Sequence, residues 1–333
     1  MRFNISEFDP SRRDFLKSLG IGAIGALIPW DFTMLSFGRN PKLGRVTFDG
    51  IPLYDEPDFS ATRIKRLSMN QVHFITKTLI RGDRSTHNRK WYQLNEGGYA
   101  HSAYIQPVQY NPQREIGEIP ESGRVGEITI PVVRSFTKPG GKIESYTLCY
   151  SSMFWVTGVE KDNDGKSWYR IMDDRFYSTF FIPTEAMRII PYNELEPVSK
   201  DVPPEDKHIL VDIQSQTMIA YEGEKQVRAC QISTGIHDST PRGWFTITRK
   251  RPCRHMEGEG FDLPGVPWVS YIAGSGIGFH GVYWHDDLGI PHSHGCIHLP
   301  IKVAHWLYVW TIPSVPIDKY IFSDPNGTRV QII

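Results

Sequence analysis

The chain reads as mainly β and as several small domains, on three observations. Between residues 44 and 191 no long stretch repeats its apolar residues at helical spacing. Short runs rich in Val, Ile, Thr and Tyr instead alternate with Gly, Pro, Asn and Asp, the pattern of many short strands joined by turns. That stretch also repeats itself: Ile51-Pro52-Leu53-Tyr54 precedes Trp91-Tyr92-Gln93-Leu94 by 40 residues, and Ile130-Pro131-Val132-Val133 precedes Trp168-Tyr169-Arg170-Ile171 by 38, a period of about 78. From Lys207 a third region carries its own alternating strands. At 333 residues the chain has room for two domains, or three small ones, at roughly 150 residues each.

Composition narrows the class. Forty per cent apolar and 12% aromatic residues exclude long disorder and collagen-like repeats. Lys and Arg number 37 against 37 Asp and Glu, and no stretch gathers the basic stripe that phosphate neutralisation requires, so nucleic acid is not expected as a partner. Cys149, Cys230, Cys253 and Cys296 are too few and too scattered for a disulfide scaffold or a paired zinc site. Cys149, Cys230 and Cys253 lie outside any motif and read as packing residues, with a Cys230–Cys253 disulfide open to an exported protein.

Residues 1–38 differ from the rest. A polar start leads into Ser11-Arg12-Arg13-Asp14-Phe15-Leu16-Lys17 and then an apolar, Gly-rich run to Trp30, which has the three parts of an export signal and is too short for a confident membrane span. The paired arginines resemble the twin-arginine signal, which implies export to the cell envelope in the folded state. No small-x-small cleavage site stands out before Arg39, so removal of the segment and its retention as a membrane anchor both remain open.

Each Trp-Tyr pair is followed by a polar hairpin signal (95–98; 173–175), an aromatic (Tyr99; Tyr177) and a Pro-marked exit (105–107; 182–183). Segments 44–107 and 127–191 resemble bacterial SH3-like modules on these residues, which implies two small β-barrels of a kind that often binds cell-wall peptides or glycans. Aromatic filling of a small core accounts for the same residues equally well. Segments 111–126 and 191–207 read as linkers.

In the last region the pattern predicts strands over 208–213, 217–221, 226–233 and 245–248. Residues 251–267 form a Gly- and Pro-interrupted stretch of seventeen, read as a loop long enough to serve as an active-site lid. Five histidines and one cysteine then crowd residues 278–300. A thiol becomes a strong nucleophile as thiolate, and a nearby imidazole can take its proton. His280 fits that task for Cys296. Gly281 and Gly295 permit unusual backbone angles and close approach of amide N–H groups to a substrate carbonyl, as an oxyanion hole requires.

His280-Gly281 followed by Ser293-His294-Gly295-Cys296 resembles the L,D-transpeptidase catalytic domain, the YkuD-type family of cysteine enzymes that cross-link peptidoglycan. The resemblance extends through Val211-Asp212, Ser233-Thr234-Gly235, Thr240-Pro241-x-Gly243-x-Phe245 and Val266-Pro267-Trp268, and covers residues 205–333. It implies a β-sandwich-like fold, no metal or cofactor, Cys296 as nucleophile, His280 as base and the Gly281 carbonyl as the group orienting the imidazole. It also implies a short helix over 303–310, with Ser293, His294 and Gly295 shaping the nucleophile loop; His298 would border bound substrate, and Tyr283 and Trp284, close after His280, either border the groove or pack as aromatics. The implied reaction is acyl transfer from peptidoglycan tetrapeptide stems through a thioester, with cross-linking or, if water resolves the thioester, L,D-carboxypeptidase activity. His298 stands where the family usually has Arg or Asn, which predicts a pH-sensitive substrate affinity. Two other readings compete: a zinc hydrolase built on His285, Asp286, Asp287 and His292, which lacks an HExxH spacing, and an inert cell-wall-binding adaptor.

Overall fold

The computed structural model describes residues 42–82, 87–114, 116–272 and 276–333. The twin-arginine segment expected over 1–38 lies outside the described residues. The chain divides into two units, one comprising the chain up to Tyr110 with Trp284–Asp287, the other Asn111–Tyr283 with Leu288–Ile333.

In the N-terminal unit seven short strands follow one another: β1 (Leu43–Val46), β2 (Ile51–Tyr54), β3 (Arg63–Leu67), β4 (Val72–Ile80), β5 (Lys90–Leu94), β6 (Tyr99–His101) and β7 (Ile105–Val108). They form one sheet in the order β3-β2-β6-β5-β4-β1-β7. Inward positions such as Val46, Leu53, Leu67, Leu94 and Ile105 are almost wholly buried, as alternation along half-buried strands requires. Lys90 Nζ donates to Asp286 Oδ2 at 2.9 Å and Asn88 Nδ2 to Asp287 Oδ1 at 3.0 Å, which ties Trp284–Asp287 to this unit.

The second unit opens with β8 (Arg124–Ile128), β9 (Val132–Phe136), β10 (Glu144–Cys149), β11 (Met153–Lys161), β12 (Ser167–Asp173), β13 (Ser178–Pro183) and β14 (Met187–Ile189). Their order, β10-β9-β13-β12-β11-β8-β14, is that of the first sheet with every strand advanced by seven. The sequence repeat is therefore a repeat of topology.

Two five-stranded sheets complete this unit. One has the order β17-β16-β15-β24-β18, from β15 (Lys207–Asp212), β16 (Thr217–Glu222), β17 (Lys225–Gln231), β18 (Gly243–Thr246) and β24 (Arg329–Ile332). The other has the order β22-β21-β20-β19-β23, from β19 (Arg249–Gly258), β20 (Phe261–Tyr271), β21 (Gly278–Gly281), β22 (Ile297–Leu299) and β23 (Phe322–Ser323). A single core joins both sheets, through Ile209, Val211, Met218, Phe279, Ile297 and Leu299, to Val125, Met153, Trp155 and Ile190 of the second repeat. The break expected between 191 and 205 is thus a linker in sequence and not a break in packing.

Residues 251–267, expected as a loop, are instead most of the β19–β20 hairpin. Its prolines misled the sequence reading. Beyond the pairing of Ser270 with Phe279 and of Arg249 and Lys250 with β23, this hairpin is a two-stranded ribbon, and a strand with a free edge tolerates residues that lack an N–H. All four cysteines are free thiols, so the Cys230–Cys253 disulfide does not form.

The helix α1 (Ile301–Trp310) follows β22 directly. Its last carbonyls have no partner within the helix, and two buried lysines supply donors: Lys250 Nζ reaches Tyr308 O at 2.8 Å and Thr311 O at 2.6 Å, and Lys207 Nζ reaches Trp310 O at 3.1 Å. Burial lowers the pKa of both lysines, so they serve here as hydrogen-bond donors to the carbonyls. Trp310 is buried, stacks on Trp306 with centroids 4.9 Å apart and donates Nε1–H to Glu222 Oε1 at 2.8 Å. Replacing Trp310 by Ala should cost about 3–5 kcal/mol of folding stability, by analogy with other buried aromatic deletions. Urea unfolding followed by tryptophan fluorescence checks this.

Candidate active site

β21 and β22 run parallel, with Phe279 opposite Ile297, His280 opposite His298 and Gly281 opposite Leu299. Residues opposite each other in register share a face, so His298 and His280 point the same way, and Cys296 directly precedes β22. The register brings the two imidazoles together, with ring centroids 4.9 Å apart. Both are buried. Continuing the same register places Cys296 opposite Gly278, which in turn pairs with Tyr271 of β20. Gly278 is obligatory there: a Cβ would lie 2.5 Å from Ser270 O and 2.9 Å from Tyr271 Cα.

His280 Nδ1 lies 3.1 Å from Gly281 O. A carbonyl can only accept, so Nδ1 carries the proton and Nε2 keeps its lone pair. This is the tautomer a base needs. Burial pulls the His280 pKa from 6.5 down to about 4, against the smaller opposing effect of the Gly281 carbonyl. Burial also pushes the Cys296 thiol up, opposed by a backbone hydrogen bond from Gly278. Burial therefore favours the neutral thiol and the neutral imidazole.

The loop before Cys296 is held from three directions. Ser293 Oγ donates to Cys296 O at 2.5 Å and accepts from Gly295 N at 2.9 Å. This corrects one expectation, because the Gly295 amide is spent on Ser293 and does not serve a substrate oxygen. Gly295 itself sits at φ +135°, where a side chain would be strained. Thr240 Oγ1 donates to Gly295 O at 2.8 Å and accepts from Gly235 N at 2.7 Å. The chain at 233–236 runs alongside: Ser293 N donates to Thr234 O at 3.0 Å, Ile236 N to Ser293 O at 2.9 Å, and His298 N to Ser233 O at 2.8 Å. Gln216, buried at 3% exposure, fixes Thr234 by accepting from its N–H at 2.8 Å and donating to its hydroxyl at 2.7 Å. Sequence reading passed over Gln216 and gave Thr240 only a turn-forming role. The Thr-Pro-x-Gly pattern was the one signal available.

Other expected groove residues are placed differently. His294 is exposed and lies against Phe261, with centroids 5.0 Å apart. Tyr283 is buried and donates its hydroxyl to Pro264 O at 2.7 Å, so it fastens the hairpin and offers no open face to substrate. Trp284 groups with the N-terminal unit. Among the described residues no three His, Cys, Asp or Glu side chains gather as a metal-binding set.

Residues 206–332 match the family model of the L,D-transpeptidase catalytic domain, YkuD. Among curated proteins the chain is similar to the Bacillus subtilis (strain 168) protein named "Putative L,D-transpeptidase YciB", 31% identical over 118 residues, which cover 31% of this chain and 60% of that protein. Among solved structures it is similar to a mutant of the Enterococcus faecium L,D-transpeptidase, at 25% identity over 39% of this chain and 50% of that one, with a TM-score of 0.32. It is also similar to an L,D-transpeptidase from Mycobacterium smegmatis, at 19% identity over 53% of this chain and 100% of that one, with a TM-score of 0.33.

Two outcomes follow from this geometry. The folded His280 pKa of about 4 lies below its ordinary 6.5, so the unfolded chain binds the extra proton first. Stability is full above about pH 6.5 and falls towards pH 4, by about 3 kcal/mol in all from this group. Urea titrations between pH 4 and 7 should show His280→Gln losing that part of the slope, and alkylation of Cys296 by iodoacetamide should climb only in the alkaline range. Thr240→Val, which keeps the shape and removes the hydroxyl bridge, should lower the acylation rate of Cys296 about tenfold or more, the worth of one to two buried hydrogen bonds. Stopped-flow mass spectrometry of the acyl-enzyme measures it.

Proposed function

We propose that this chain is an exported cysteine L,D-transpeptidase acting on peptidoglycan tetrapeptide stems. The observation that supports the reading is the parallel pairing of β21, which carries His280, with β22, which Cys296 directly precedes, with Gly281 O fixing the base tautomer, inside a segment that matches the L,D-transpeptidase catalytic domain. The chain spans 60% of the curated relative's length, so activity, substrate and partners of the whole protein rest on this chemistry.

Cys296 Sγ attacks the carbonyl of the L-centre residue at its bond to the terminal D-alanine, and His280 Nε2 takes the thiol proton as the C–S bond forms. The proton then passes to the departing amine, D-alanine leaves and the stem remains as a thioester. An amine of a neighbouring stem attacks the thioester carbonyl, gives up a proton through His280 and releases Cys296 as thiol. Water in the amine's place yields the L,D-carboxypeptidase product. Burial of His280 and His298 keeps bulk water from the imidazole, and the neutral thiol that burial favours spares Cys296 from oxidation outside the cell, because the thiolate is the reactive form. The twin-arginine pattern at Arg12 and Arg13 supports export to the cell envelope, with membrane attachment if the segment is kept. Among the described residues no helix is long and apolar enough to cross a membrane. The two repeats supply surfaces for wall peptides or glycans.

Incubation with a purified tetrapeptide muropeptide or a carbapenem should leave a covalent adduct on Cys296, located by peptide mass spectrometry and absent from Cys296→Ala. Wall binding without any adduct would instead mark an inert adaptor. Activity that is lost to chelator and kept by Cys296→Ala would mark a metal hydrolase.

A further inference from the structure

The β19–β20 hairpin is bent, and the bend has an address. The ladder runs regularly to Arg254 opposite Val266, then slips, resuming with Met256 opposite Leu263. His255 is the residue in the slip. Gly265 on the facing strand has φ +72°, and a Cβ there would meet Phe154 Cζ of the second repeat at 2.5 Å. Bulges of this kind turn a ribbon. Here the turned end, at Phe261, lies on His294, two residues from Cys296.

What holds the bend comes from the second repeat. Asp173 and Asp174, at the end of β12, are both nearly buried, at 2% and 6% exposure. Asp174 Oδ1 accepts from the His255 backbone N–H at 2.8 Å, and its Oδ2 accepts from Arg254 at 2.5 Å and Arg251 at 3.1 Å. Asp173 takes the Tyr146 hydroxyl on Oδ2 at 2.6 Å and faces His255 Nδ1 with Oδ1 at 3.1 Å. The other ring nitrogen, His255 Nε2, lies 2.5 Å from Asp262 Oδ1 on the facing strand. Arg175 closes the set by pairing with Glu257 and Asp262. One imidazole thus joins the two strands of the hairpin to each other and to the repeat.

Burying charges in this way adds little net stability, and the best-attested use of such groups is to fix one register among several. A two-stranded ribbon with a slip in its ladder is a segment in need of that.

We propose that Asp173, Asp174 and His255 are positioning residues for the reaction: the second repeat sets the bend of the hairpin, and through it the seat of Phe261 on His294, so that this repeat is part of the substrate groove of Cys296. This rests on the transpeptidase reading above. The substrate class it concerns is the extended peptide stem, held between the hairpin end and the nucleophile loop.

The test uses the full chain with Asp174→Asn, Phe261→Ala and the double variant. Asp174→Asn should raise KM for the tetrapeptide stem about tenfold with kcat within about twofold, a loss of binding without loss of chemistry. Phe261→Ala should do the same, and the double variant should be no worse than either alone, since both act on one seat. Phe261→Leu should restore most of the affinity. Multiplying effects, or a fall in kcat alone, would overturn the proposal. A wild-type chain that fails to convert the stem removes the functional reading but leaves the clamp testable: hydrogen exchange across residues 256–263 should quicken in Asp174→Asn. Unchanged exchange there overturns the clamp whatever the activity.

Discussion

Everything chemical in this molecule depends on the parallel pairing of β21 with β22. Parallel neighbours cannot be joined by a tight turn and need a crossover of a dozen residues or more. Here the crossover runs from Val282 to Cys296 and ends on that cysteine. A slip of one residue would send His298 to the opposite face, away from His280. The register is accordingly over-determined. Ser233 brackets His298 with two backbone hydrogen bonds, Thr234 and Thr240 hold the loop, and Gln216 holds Thr234. Polar groups that are fully satisfied inside a core specify one arrangement as well as stabilising it.

The same packing sets the electrostatics. His280 lies on β21, between β22 and β20, where burial lowers its pKa and the Gly281 carbonyl opposes that shift. A carbonyl orients the ring without adding the full negative charge that would hold a proton on it. Burial thus favours the neutral form of the His280 imidazole and of the Cys296 thiol alike.

The sequence made some layers readable and hid others for physical reasons. Strand periodicity placed β15 and β16 to within two residues, because each alternates between a buried and a more open face. The 78-residue echo of Trp91-Tyr92 in Trp168-Tyr169 foresaw two copies of one sheet order. His280 and Cys296 stood out because their glycine neighbours and spacing form a compact motif. The hairpin at 251–267 did not, since proline counts against a strand unless the strand has a free edge, and edges are a property of the assembled sheet. The Gly295 amide was misjudged for the same kind of reason: whether an N–H is spent depends on where Ser293 Oγ folds back. Gln216, Asp174 and His255 act across long chain separations, and no local pattern in a single sequence marks them.

The two copies of the seven-stranded sheet have parted in a way that their common strand order conceals. At the turn after the Trp-Tyr strand the first copy carries Asn95-Glu96 and the second Asp173-Asp174, and the second also lends Met153 and Trp155 to the core beneath the nucleophile strand. An inner face of the second copy is thus part of the same core as the region that matches the family model. The unit on which selection acts is therefore larger than the segment that bears the family motif. A catalytic fragment cut at residue 205 would carry an open apolar seam where the second copy belongs.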